Sequence, residues 1–183
     1  MLAPYQLLDL TVVDAGGLPV ELRHVRRPDG KEIMLRRIPY AGGGVAVVAL
    51  TEDNKLIFVR QWREAINRFT IEIPSGGIDP GETPGEGAAR ELLEETGYEP
   101  GTIEPLARLC GMVSLLDIKI DFFLARDCRL AAPSDGEADE PTGVLLLDAA
   151  DGFALAGCEI DESGSVNGLL LAERHLRRTA ATR

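Results

Sequence analysis

Apolar and polar residues alternate loosely through the first forty positions. From Tyr5 to Leu22, around Gly16-Gly17, this predicts one or two strands. Val20–Arg26 and Glu32–Ile38 alternate on either side of Pro28-Asp29-Gly30, which predicts a hairpin. The pattern then changes. Gly42-Gly43-Gly44 leads into Val45–Leu50, a continuous apolar run suited to a strand covered on both faces. Glu52–Lys55 turns the chain into a second strand, Leu56–Gln61, and Thr70–Ile73 is a short third one.

The strongest helical signal spans Glu86–Thr96. Pro84 stands near its start and Gly97 just past its end, and Ala88, Ala89, Leu92 and Leu93 supply helix-forming residues for a core face. Leu106–Met112, Lys119–Ala125 and Val144–Leu147 read as further strands. Ala131–Thr142, acidic and rich in Pro and Gly, reads as a loop. Helices are expected over Asp148–Gly157 and Ser163–Leu176, followed by a frayed basic tail, Arg177–Arg183.

Composition narrows the options. The chain is 45% hydrophobic and 27% charged, enough to bury a core, and its 183 residues suit one domain with a small N-terminal addition. A formal net charge of −11 disfavours nucleic-acid backbones and anionic membranes as partners. A phosphate-bearing substrate would need local help from cations or arginines. No apolar run reaches the roughly 18 residues of a membrane span, and the N-terminus lacks a signal-peptide pattern. Cys110, Cys128 and Cys158 are odd in number and widely spaced, with neither a zinc pattern nor a disulfide framework. They read as reduced thiols, and the expected location is the cytoplasm.

The chemistry concentrates between Gly76 and Tyr98. On the predicted helix Glu91, Glu94 and Glu95 occupy i, i+3 and i+4, so three carboxylates share one face. Like charges that close repel unless a cation neutralises them, and hard oxygen donors at this density suit Mg²⁺ or Mn²⁺. Gly76 is followed at fixed intervals by Glu82, Arg90-Glu91, Glu94-Glu95 and Gly97. This spacing resembles the signature of the Nudix hydrolases, which cut nucleoside diphosphates linked to another moiety. Every Gly, Glu and Arg of that signature is present; Tyr98 replaces an aliphatic residue at a packing position.

The resemblance extends over most of the chain and points to the branch of ADP-ribose and nucleotide-sugar pyrophosphatases. Its carriers include Val59-Arg60-Gln61-Trp62-Arg63, Glu72–Gly77 and Val166–Ala172. It implies an α/β fold, an α/β/α sandwich with a mixed sheet and an N-terminal β-hairpin extension. Residues 1–40 would be N-terminal strands that dimerise, and 41–183 the hydrolase domain. It implies that Glu91 and Glu95 ligate the metal with Glu94 assisting, and that the Ser75 carbonyl completes the shell at the Gly76-Gly77 bend. Arg90 and Glu82 would hold the loop to the helix, while Arg60, Trp62 and Arg63 would bind substrate through phosphate and base or sugar contacts. A glutamate of the acidic loop, Glu140 by position, would act as ligand or general base. His24 and His175 are assigned structural places.

The implied reaction is Mg²⁺-dependent (or Mn²⁺-dependent) hydrolysis of a pyrophosphate bond in ADP-ribose or an ADP-sugar. One departure keeps alternatives open: Met112–Lys119 replaces a Ser-Pro-Gly turn of that branch with an apolar pair, Leu115-Leu116. The alternatives are another nucleoside diphosphate derivative, a dinucleoside polyphosphate, or a nucleotide-sensing module without catalysis.

Overall fold

A computed structural model describes residues 3–40, 42–131 and 143–181. The chain divides into two compact units, one from Met1–Ala41 with Cys110–Lys119, the other from Gly42–Leu109 with Ile120–Arg183.

The first unit is an antiparallel meander of β1 (Gln6–Asp14), β2 (Pro19–Arg26) and β3 (Glu32–Pro39). The β1–β2 turn closes on Asp14, whose Oδ1 accepts from Gly17 N at 2.6 Å, and Gly16 and Gly17 take the positive φ values that the turn needs. Asp29 Oδ1 accepts from Lys31 N at 3.1 Å in the β2–β3 turn. Leu116 and Asp117 pair in parallel with Ile38 and Pro39. Leu10, Val12, Met34 and Leu35 are exposed, so this sheet keeps apolar side chains in solvent.

The second unit starts with β4 (Gly44–Thr51), buried at every position, as its apolar run predicts. There follow β5 (Lys55–Arg63), β6 (Arg68–Glu72), β7 (Ser75–Gly77), α1 (Pro84–Thr96), β8 (Tyr98–Glu99), β9 (Thr102–Gly111), β10 (Leu116–Leu130), β11 (Gly143–Asp148), α2 (Ala149–Ala154) and α3 (Ser163–Ala180), the end of β9 and the start of β10 belonging to the first unit. Ile120–Cys128 of β10 runs parallel to β4, whereas β5, β7 and β11 pair antiparallel, so the sheet is mixed.

The two faces of β4 feed two cores. Val45, Val47 and Ala49 pack with Ala88 and Leu92 of α1; Ala46, Val48 and Leu50 pack with Leu169 and Ala172 of α3. Helix, sheet and helix therefore form the layers. β4 and β5 pair at Ala49↔Ile57 and Leu50↔Leu56 and then part. The segment Arg68–Gly77 bridges the parting, bonding first to β5 through β6 and then to β4 through β7. Backbone emerging at such a splay is free to line a site.

Three sequence expectations change at the element ends. α3 continues to Ala180, past the tail expected to fray, and an i, i+4 pair between Arg177 Nη2 and Glu173 Oε1 at 2.6 Å carries the extra turn. β10 begins at Leu116, where it pairs with Ile38, and continues to Leu130 across an irregularity at Ala125/Cys128. α2 covers only Ala149–Ala154 of the helix expected over Asp148–Gly157. Among the described residues no helix is long and apolar enough to cross a membrane. All three cysteines are free, with Cys128 buried and its thiol pushed up to about 12, mainly by burial.

Candidate active site

α1 is fixed at both ends by local chemistry. Thr83 Oγ1 accepts from Glu86 N at 3.3 Å while Glu86 Oε2 accepts from Thr83 N at 2.8 Å, a reciprocal cap, with Pro84 in the first turn. Gly97 closes the helix in the left-handed region at φ 76°, its N–H donating to Leu93 O. With Ala88 and Leu92 turned into the core, Glu91, Glu94 and Glu95 fall on the flank towards the Ser75–Gly77 loop.

That loop lies directly on the helix. Ser75 N donates to Glu95 Oε2 at 2.9 Å. A Cβ on Gly76 would stand 2.2 Å from the Glu91 carboxyl carbon, so glycine here lets the Glu91 carboxylate lie against the bend. Arg90 ties the remainder together. Its Nε donates to Glu82 Oε1 at 2.9 Å, its Nη2 to Gly77 O at 2.8 Å, and its Nη1 to Glu91 Oε1 at 2.9 Å and Glu94 Oε2 at 2.8 Å. Glu82 first, then Glu91 and Glu94, raise the Arg90 guanidinium above its ordinary range, and Arg90 in turn lowers Glu82.

The carboxylates differ in surroundings. Glu94 is 58% exposed. Glu95 is pushed up to about 8: burial is the main cause and Glu91 and Glu72 add to it, while the Ser75 N–H and Arg63 pull the other way. Glu72, Glu82, Glu91 and Glu94 outnumber the guanidiniums of Arg63 and Arg90, so the surroundings of the loop and helix are net negative.

Among the described residues no three His, Cys, Asp or Glu side chains are drawn together as a finished ligand set. The physical reason is repulsion: Glu94 turns to Arg90 and Glu95 to the Ser75 amide. The donors nevertheless suit a hard divalent cation. They are carboxylate oxygens at a glycine bend that a Cβ would fill, and the half-buried Glu95 lacks enough positive charge to ionise easily.

β5 distributes the other expected residues. Arg60 and Trp62 lie two apart, on one face, and Arg63 lies on the other, so the structure does not gather the three into one set. Arg63 clasps Glu72, with Nε to Oε1 at 2.8 Å and Nη2 to Oε2 at 2.5 Å, and Thr70 Oγ1 donates to the same carboxylate at 2.6 Å. Arg63 thus faces the Glu95 side of the sheet. On the other face Arg60 Cζ sits 3.8 Å above the centre of the Phe69 ring. Trp62 meets Phe69 edge-on with 5.2 Å between ring centres, and its Nε1 donates to Glu64 Oε2 at 2.8 Å. Glu140 and the acidic residues around it lie outside the described residues. His24 and His175 stand 3.1 Å from Glu32 and 3.3 Å from Glu104.

Sequence reasoning passed over Glu72 and Phe69. For Phe69 a signal existed, since Trp62 and Phe69 fall opposite each other once the hairpin pairs Gln61 with Thr70. Glu72 showed only as the first residue of the Glu72–Gly77 stretch that carries the resemblance, with nothing to mark Arg63 as its partner.

The NUDIX domain profile matches residues 41–144. Over 155 residues the chain is 35% identical to the ADP-ribose pyrophosphatase of Bacillus subtilis (strain 168), covering 84% of this chain and 80% of that protein. Over 107 residues it is 36% identical to the methanol dehydrogenase activator of Bacillus methanolicus; that match spans 58% of this chain and 57% of the relative. A crystal structure described as an ADP compounds hydrolase superposes with a TM-score of 0.89 at 24% identity, over 98% of this chain and 97% of the other, which shows a shared fold.

Proposed function

This chain belongs to the NUDIX domain family, and from that premise we propose that it hydrolyses the pyrophosphate bond of a nucleoside diphosphate linked to a sugar, ADP-ribose or an ADP-sugar first among them. The relative named ADP-ribose pyrophosphatase supports this substrate class. The observation that carries the reading is the loop–helix clasp, in which the Ser75 amide meets Glu95 and the Gly76 bend closes over Glu91.

Water adds across the P–O–P link, which breaks to give a nucleoside monophosphate and a phosphorylated remainder. Glu91 and Glu95 would hold Mg²⁺ (Mn²⁺ as a substitute), with the Ser75 carbonyl and Glu94 contributing. When bound, the cation neutralises phosphate oxygens and lowers the pKa of a coordinated water. Arg90, braced by Glu82 and Gly77 O, keeps Glu91 at the loop, because a small displacement of such groups is costly. Arg63, locked to Glu72, sets a positive charge beside Glu95 without leaving its own partner. Arg60 and Trp62, with Phe69, offer a cation and aromatic surface to a phosphate or base. Glu140 serves as base or further ligand, and residues 1–40 join two copies.

A second reading, hydrolysis of another nucleoside diphosphate derivative, is favoured by Leu115-Leu116, which stands where the ADP-ribose branch carries small turn residues. The test is a panel of nucleoside diphosphate derivatives with Mg²⁺. ADP-ribose is expected to yield AMP faster than the rest. Faster turnover of another member selects the second reading, and no turnover of any member contradicts both.

A further inference from the structure

Ile73-Pro74 links β6 to β7, belongs to neither strand and leads into the Ser75–Gly76 bend. Three hydrogen bonds fix it. Ser75 N reaches Glu95, Pro74 O accepts from Val47 N at 2.9 Å, and Ile73 N donates to Ser165 Oγ at 3.0 Å. The first two come from the site helix and the adjoining strand. The third comes from α3, on the opposite face of the sheet and 92 residues away in sequence.

Ser165 is fully buried and its hydroxyl is polarised in turn. It donates to Glu162 Oε2 at 2.9 Å, and Glu162 caps α3 by accepting from Gly164 N and Ser165 N, both at 2.7 Å. One turn on, Gly168 lets the helix come so close that a Cβ there would stand 2.5 Å from Ile73 Cδ1. Ile73 is therefore held by main chain and side chain at once, and Pro74, with no N–H, offers no substitute donor.

We infer that Ser165, oriented by Glu162, is a positioning residue for the cation site: through Ile73 it sets where the Ser75–Gly76 bend lies against Glu91 and Glu95. The inference rests on the reading of Glu91 and Glu95 as cation ligands. Removing the hydroxyl leaves the Ile73 N–H buried without an acceptor, and the segment moves to relieve that cost. Displaced supporting groups weaken metal sites by about tenfold or more.

The test is a titration of the full chain with Mn²⁺ without substrate, following free Mn²⁺ by electron paramagnetic resonance. Ser165→Ala is expected to bind about tenfold more weakly than wild type. Leu171→Ala, which loosens the packing of the same helix and leaves the Ser165–Ile73 hydrogen bond in place, is expected to melt lower yet bind as wild type does. Unchanged affinity in Ser165→Ala, or an equal loss in Leu171→Ala, would overturn the inference alone. Wild-type binding that Glu95→Gln does not weaken would remove the site reading, and this inference with it.

If Ser165→Ala does not fold, amide exchange in the wild type decides, because coupling between the two sites is reciprocal. Mn²⁺ is expected to slow exchange of the Ile73 amide. Exchange there that ignores Mn²⁺ overturns the inference.

Discussion

Glu72 is a carboxylate at 2% exposure, a placement that costs several kcal/mol when unpaired. Burial raises its pKa, but the Arg63 fork and the Thr70 hydroxyl outweigh burial and leave it below the ordinary 4.5. A depressed acid stabilises the fold above its unfolded pKa, and that contribution disappears as pH falls through the folded value. Denaturant melts of the wild type should therefore lose stability below about pH 4.5, and Glu72→Gln should show a flatter acid limb. At pH 7 that variant should be less stable by about 2 kcal/mol, the scale of a charged hydrogen bond. An acid limb as steep as the wild type's would show that Glu72 is not the group responsible. The same pairing explains why Arg63 was read from sequence as a free phosphate binder. Strand parity separates Arg60 from Arg63, and it could have been counted; a buried partner nine residues on could not.

At the scale of elements, α1 and its loop were the most legible part of the chain. Glycines, prolines and i, i+4 spacings are local, so Pro84 and Gly97 announce the helix and Glu91 and Glu95 its charged flank. β4 was legible too, because a strand covered on both faces needs an unbroken apolar run. Ser165 was not, since its partner is a backbone amide on a distant strand, and no spacing encodes that. The contact of element on element is tight at Gly76. Gly76→Ala puts a methyl group where the Glu91 carboxylate lies, so that carboxylate must swing away from the bend. We expect turnover to fall by roughly 100-fold, the cost of a displacement near 1 Å, with unchanged far-ultraviolet circular dichroism. Turnover within twofold of wild type would mean that the bend is not part of the site.

Over the whole molecule, a net charge of −11 gives no general attraction for a phosphate ester, so the proposed substrate would depend on locally held cations and on a side chain such as Arg60. The layering of helix, sheet and helix followed from the family signature more than from the strand pattern, whose ends were misjudged at β10 and α3. The first unit carries Leu10 and Val12 in solvent on one face of β1. An exposed apolar face of this kind suits contact between copies. Light scattering after gel filtration should give twice the chain mass for the wild type and a single chain mass for Val12→Asp. A monomeric wild type would contradict the dimer.

The account turns on Glu91 and Glu95 gathering a divalent cation beside the Ser75–Gly76 bend. Its most direct measurement is the Mg²⁺-dependent release of AMP from ADP-ribose by the wild type and by Glu95→Gln at matched protein concentration. The variant should keep its fold by circular dichroism and lose nearly all turnover, because a ligand of the cation is gone. A Glu95→Gln protein that turns over as the wild type does, with the same Mg²⁺ dependence, would contradict it.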